Sequence, residues 1–290
     1  MAYRSVFAPG SFSGRTIVVT GGGSGIGRCT AHELASLGAR VLITGRKPEK
    51  LEAVLAEIAE DGGQAAGYAF DIRDEEAVKA NLARMRAEHG EIHGLVNNAG
   101  GQFPMPVASI SKRGFEAVVA NNLTGGFLMA REVYNSGMKK TGGAIVNMLA
   151  DMWGGMPGMA HSGAARAGMM NLTETLATEW ARDGVRVNAV APGFVASSGM
   201  DQYDPSFTAQ VIPQMAGTIP LRRLAEEAEV SSAIVFLLSE GASFITGHTV
   251  RIDGGASLNT KLFPLTGQGN TPYTGFHRAR RPRAVPGGPG

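Results

Sequence analysis

RTIVVTGGGSGIG, residues Arg15–Gly27, begins as a β-branched run, breaks into glycine and leads into a helical pattern. Arg15–Thr20 has the composition of a buried strand. RCTAHELASLGA follows, with Leu34 and Leu37 on one helical face and Gly38 as a stop signal. Glycines between a first strand and a first helix let the backbone turn sharply and come close to a pyrophosphate, which the helix N-terminus stabilises. Gly21, Ser24, Gly25, Ile26 and Gly27 are therefore candidate cofactor-binding residues.

Outward from this loop, strand-like and helix-like segments alternate. RVLIT, AAGYAF, GLVNNAG, GAIVNML, VRVNAVAPG and HTVRIDGG read as further strands, seven with the first. PEKLEAVLAEIAEDGG, DEEAVKANLARMRAEHG, KRGFEAVVANNLTGGFLMAREVYNSG and GAARAGMMNLTETLATEWARDG read as helices between them. Pro48 suits a first helical turn, and Asp74 an N-cap followed by Glu75 and Glu76. The pattern predicts an α/β fold: one doubly wound, parallel, seven-stranded Rossmann-type sheet with helices on both faces. Residues 1–13 read as an N-terminal arm and 14–258 as a single cofactor-binding and catalytic domain. Residues 259–290 read as a basic tail rich in Gly and Pro. Residues 196–225 show little periodicity and are expected to form a functional loop or lid.

The bulk properties set limits. Hydrophobic residues are 43% and charged residues 18% of the 290, an ordinary globular balance. No apolar run is long enough to span a bilayer, and the N-terminus has no apolar core of signal type, so a cytoplasmic location is expected. The single Cys29 excludes an internal disulfide and fits a packed small residue better than a reactive thiol. Lys261, Arg278, Arg280, Arg281 and Arg283 make the tail basic, while the rest of the chain is net acidic. The body has no matching basic field, which argues against nucleic-acid binding. No His, Cys, Asp or Glu cluster has metal-ligand spacing, and no metal is expected.

The end of the second strand discriminates between cofactors. An acid there would hold the ribose 2′-hydroxyl of NAD, whereas a basic residue suits the 2′-phosphate of NADP. ITGRK places Gly45 there, followed by Arg46 and Lys47, so NADP(H) is favoured over NAD(H). Arg28 is a further cation near the loop.

TGGGSGIG, Asp71-Ile72, NNAG at Asn97–Gly100, Asn122 and Pro192-Gly193 occur in that order. Together they resemble the short-chain dehydrogenase/reductase family over about Gly14–Leu258. The resemblance implies that Asp71 and Ile72 meet the adenine and that Asn98, Ala99 and Gly100 line the cofactor. It also implies that Pro192, Gly193, Val195 and Ser197 contact its nicotinamide side and phosphates, and that Asn122 holds a water in a proton relay. NNAGGQF, NNLTGGF, HSGAARAG, LATEWA and SFITG resemble the peroxisomal trans-2-enoyl-CoA reductase branch. MLADMWGGMPGM resembles bacterial citronellol/citronellal dehydrogenase-like proteins. The resemblance further implies a homotetramer built through Lys112–Tyr134 and Gly163–Ala181.

The family's catalytic Ser, Tyr and Lys fall on Ala150, Ser162 and Arg166. Arg166 keeps a charge for the ribose but cannot pass a proton. Ser162 offers one hydrogen bond and is a far weaker acid than a phenol. Carbonyl reduction needs an acid for the alkoxide, whereas enoyl thioester reduction develops an oxyanion that hydrogen-bond donors can stabilise. The enoyl branch sometimes has a Tyr two residues after AG, and Met170 stands there. His161 and Asp151 are the nearest titratable candidates for the proton donor. Gln102, Asp151, Met152 and Trp153 are candidate substrate contacts, with Met156, Met159, Met200 and Met215 able to shape a lipid-like pocket. The leading expectation is NADPH-dependent C=C reduction of a trans-2-enoyl-CoA or another acyl-CoA, terpenoid or lipid-like substrate. The alternatives are an alcohol/aldehyde or 3-hydroxyacyl dehydrogenase with an atypical proton donor, and a cofactor-binding protein without turnover.

Overall fold

Strands β1 (Thr16–Thr20), β2 (Arg40–Gly45), β3 (Gln64–Ala69), β4 (Gly94–Asn97), β5 (Gly143–Met148), β6 (Val185–Pro192) and β7 (Thr249–Ile252) form one parallel sheet in the order β3-β2-β1-β4-β5-β6-β7. The computed structural model describes residues 2–202, 205–258 and 269–279. Strand order reverses between β1 and β4, so the loops after these two strands part and leave a crevice at their carboxyl ends. Helices α1 (Gly25–Ser36), α2 (Pro48–Glu60) and α3 (Glu75–His89) follow the first three strands. Side chains alternate across the sheet: Val19 packs with Leu34, Val54 and Ile234 on one face, and Val18 with Leu82, Met129 and Leu176 on the other. Both valines are fully buried, each contributing on the order of 1.5–3 kcal/mol of transfer free energy.

The long helix expected from Lys112 is broken by two wider turns. It runs as α4 (Lys112–Val119), a π-turn (Ala120–Thr124), α5 (Gly125–Val133), a second π-turn (Tyr134–Met138) and the single turn α6 (Lys139–Thr141). Helix α7 (Ala160–Trp180) then covers the sheet, with Trp180 stacked on Tyr134 at 4.1 Å between centroids.

The segment expected to be irregular, 196–225, contains helix α8 (Pro205–Thr218), disguised in the sequence by Pro213 in its interior. Helix α9 (Glu227–Leu238) includes AIVFLL, whose apolar continuity hides helical periodicity because α9 is sunk between α1 and the sheet. Among the described residues no helix is long and apolar enough to cross a membrane.

The N-terminal arm meets the segment around Phe276. Tyr3 stacks on Phe276 at 5.6 Å, and the Arg4 backbone N–H donates to the Gly275 carbonyl at 3.0 Å. Arg278 pairs with Glu60 at 2.8 Å. Residues 271–279 thus lie as a strap over α1 and α2, next to the N-terminal arm. The other four basic tail residues named above lie outside the described residues.

Candidate active site

The glycine loop holds its shape through its own backbone and two side chains. Gly21 and Gly25 have φ of +66° and +57°, a region that favours glycine. A Cβ on Gly27 would sit 2.4 Å from the Gly21 carbonyl oxygen and from Asn98 Nδ2. Asn98 Nδ2 donates to the Thr20 carbonyl at 2.9 Å, and the Asn98 and Ala99 backbone N–H groups donate to Thr20 Oγ1 at 3.0 and 2.9 Å. Thr20 therefore ties the loop to the end of β4, a role its place at the head of TGGGSGIG could have suggested. Ser24 precedes α1 with an extended backbone, and its hydroxyl does not cap the helix. The first-turn N–H groups have no capping side chain and can meet an anion, so the loop fits a dinucleotide pyrophosphate.

Gly45 closes β2, and Arg46 and Lys47 are exposed just beyond it. Arg73 grips the Asp71 carboxylate, with Nε 2.9 Å from Oδ1, and this hydrogen bonding holds Asp71 below the usual aspartate range. Ile72 is buried against Gly125, where an added Cβ would lie 2.7 Å from its side chain. Arg28 turns away to a bidentate pair with Glu57, both contacts 2.8 Å, and lies over the Phe276 ring. It belongs to the strap rather than to an open cation site.

A cavity of about 580 Å³ opens at the carboxyl ends of β4, β5 and β6. Ile26, Asn98, Gly100, Pro192, Gly193, Val195 and Ser197 face it from the expected cofactor side. Gln102, Asp151 and Trp153 line it together with Phe194, Met200, Ile212 and Met215. Phe194 and Ile212 had no motif to mark them in the sequence. Met152 does not line the cavity; it packs with Leu149, Met169 and Ala189 in the core beneath the loop.

Arg166 reaches the cavity wall from α7 through a buried path. Its Nη1 donates to the Met148 carbonyl at 2.5 Å, its Nε has no hydrogen-bond partner, and burial lowers its pKa to about 10. It remains cationic at neutral pH. Asn122 occupies the first π-turn, where Nδ2 donates to the Val118 and Gly101 carbonyls at 2.8 and 2.7 Å. Its Oδ1 accepts from the Gly101 N–H at 3.2 Å. Asn122 thus fixes the backbone after NNAG, and Gly100 passes so close that a Cβ there would be 2.6 Å from Asn122 Oδ1 and 2.8 Å from Arg166 Nη2.

Ser162 and His161 are both fully buried and neither lines the cavity. Ser162 donates its hydroxyl to Gln102 Oε1 at 2.5 Å. His161 Nδ1 accepts from the Ser162 N–H at 2.8 Å, and its ring meets Phe103 edge-on at 4.5 Å between centroids. The structure therefore brings Arg166, Gln102, Asp151 and Trp153 to one cavity and leaves Ser162 and His161 behind its wall.

Asp151 follows β5, with its N–H bonded to the Pro192 carbonyl at 2.9 Å. Its Oδ1 is buried without a hydrogen-bond partner. Burial raises its pKa, the nearby Asp253 charge adds to this, and the Trp153 N–H and Arg251 oppose it. Arg251 lies over the Trp153 ring at 3.8 Å from the centroid. Among the described residues no three His, Cys, Asp or Glu side chains gather as metal ligands.

A family model described as enoyl-(acyl carrier protein) reductase matches residues 21–257. A probable 2,4-dienoyl-CoA reductase of Bacillus subtilis is 35% identical over 253 residues, covering 86% of this chain and 99% of the relative. A peroxisomal 2,4-dienoyl-CoA reductase of Danio rerio is 33% identical, covering 89% of this chain and 86% of its own. Among solved structures, a citronellol catabolism dehydrogenase of Pseudomonas aeruginosa superposes with a TM-score of 0.80 at 61% identity, covering 88% of this chain and all of that one.

Proposed function

The chain belongs to the short-chain dehydrogenase/reductase family, and on that premise we propose that it is an NADPH-dependent reductase of the C=C bond in a trans-2-enoyl-CoA or similar lipid-like substrate. One observation carries the choice of reaction. At the position where the resemblance puts the family's tyrosine stands Ser162, wholly buried and hydrogen-bonded to Gln102 instead of facing the cavity. Without a phenol at that position, carbonyl reduction needs its acid, worth about 10²–10⁴ in rate, from another cavity group. Enoyl thioester reduction instead places developing charge on the thioester oxygen, which a fixed hydrogen-bond donor stabilises. Gln102, oriented by Ser162, is the side chain we assign to that oxygen.

The bound dinucleotide supplies a hydride. The Gly21–Gly27 loop with the α1 N-terminus would hold its pyrophosphate, and Arg46 and Lys47 a 2′-phosphate. Asp71 would meet the adenine, Arg166 and the Asn98–Gly100 backbone the ribose and ring side, and Pro192–Ser197 the nicotinamide end. The thioether and aromatic side chains around the cavity exclude water and adapt to an acyl chain.

A second reading, a citronellol-type dehydrogenase, is favoured by the 61% identity to the Pseudomonas aeruginosa structure. The test is oxidation of NADPH and of NADH by the purified protein with trans-2-enoyl-CoA substrates of increasing chain length, beside citronellal. Turnover of enoyl-CoA with NADPH preferred is expected. Turnover of citronellal alone would establish the second reading, and cofactor binding with no turnover on either would leave a binding protein.

A further inference from the structure

We propose that Asp151 is the catalytic acid of the reduction, delivering a proton from its carboxyl group to the substrate across the cavity. This rests on the reductase reading above. Three observations carry it. Asp151 is the one carboxylate among the described residues lining the cavity. Its Oδ1 is buried and makes no hydrogen bond, an arrangement that strongly disfavours a bare charge on that atom and suits a protonated carboxyl or a substrate partner. His161, the other titratable candidate, is set apart by position: it is fully buried and does not line the cavity, its Nδ1 accepts from the Ser162 N–H, and its unpartnered Nε2 lies in the interior.

The surroundings shift Asp151 toward its protonated form. Burial is the main cause of the upward shift, and Asp253, just after β7, adds a like charge. Arg251 on β7 and the Trp153 N–H act in the opposite direction. Arg251 is partly engaged elsewhere, lying on the Trp153 ring and donating to Ser257 Oγ at 3.2 Å. Arg166, on the same cavity wall, is held by the Met148 carbonyl.

The step balances. A bound nicotinamide cofactor would supply the hydride to the β-carbon, and the C=C π pair would move toward the α-carbon and thioester oxygen. The Asp151 O–H bond breaks, its proton forms the α-C–H bond, and the carboxylate left behind is reprotonated by solvent. With an aldehyde, the same proton goes to the alkoxide oxygen.

The experiment compares wild type, Asp151→Asn and Asp151→Glu on both trans-2-enoyl-CoA and citronellal. NADPH affinity is measured separately by fluorescence titration. Carboxyl titration is followed by NMR on protein carrying ¹³C-labelled aspartate. Asp151→Asn should lower kcat by about 10²–10⁴-fold with NADPH affinity unchanged, and Asp151→Glu should recover part of the loss. Wild-type kcat should fall as pH rises through the Asp151 titration, a limb absent from Asp151→Asn. The NMR signal lost in that variant should titrate above the ordinary aspartate range. Retention of wild-type kcat by Asp151→Asn, or an Asp151 signal titrating in the ordinary range, overturns the assignment. If wild type reduces only citronellal, the enoyl reading fails while Asp151 is still tested on the aldehyde. If it reduces neither, the reductase reading and the Asp151 assignment fall together, whereas a silent Asp151→Asn beside an active wild type sustains both.

Discussion

Single residues in this chain carry their environment as a cost or a gain that can be measured. Glu227 is 4% exposed, at the start of α9 beside the glycine loop, with Oε1 3.8 Å from where a Cβ on Gly25 would lie. Burial pushes its pKa up from 4.5 to about 7, with Arg28 and the Ser198 N–H pulling it back. Between these two values the folded state holds a proton that the unfolded chain has released. Stability therefore declines as pH rises across that window and stays reduced above it. Glu227→Gln, which cannot ionise, should gain on wild type between pH 5 and pH 8, by at most on the order of 3 kcal/mol. Thermal melts of both proteins at the two pH values check this, and an equal difference at both would contradict it. The thiol of Cys29 is also pushed up, by burial first and the Glu227 charge second, as expected of a packed residue.

At the scale of elements, the strap is the part with the clearest energetic consequence. Phe276 is 4% exposed and touches Tyr3, His32 and Arg28. Phe276→Ala should cost about 3 kcal/mol in urea unfolding, and a loss below about 1 kcal/mol would mean that the strap is not cohesive with the core. Nothing in the sequence announced this contact. It joins Tyr3 to a residue near the other end of the chain, and a Gly- and Pro-rich tail has no periodicity to read. The strands were legible because β-branched runs bounded by glycine report local backbone preference. The breaks around Asn122 were not, since a π-turn depends on one amide reaching the Val118 and Gly101 carbonyls. The glycine loop was legible for the opposite reason: its glycines answer a local backbone demand. Ser162 and Arg166 stand four residues apart in the sequence, but only packing shows that one lies behind the wall and the other reaches it.

At the scale of the whole molecule, assembly is the open expectation. Phe115 on α4 is 40% exposed, Phe236 on α9 is 38% exposed, and Phe244 is fully open. A homotetramer with two-fold interfaces would cover such residues. Sedimentation should give the tetramer mass, and Phe115→Glu should shift it to a smaller species while far-UV dichroism stays unchanged. A monomer in the wild-type protein would refute the assembly. The contact between the N-terminal arm and the strap bears on something else, the order of biosynthesis. Helix α1 and the arm around Tyr3 leave the ribosome before any strand after the first, yet the ring that covers them is Phe276, which follows β7. The patch on the first helix is therefore sealed only after the whole sheet has been synthesised, and until then it stays open to chaperones.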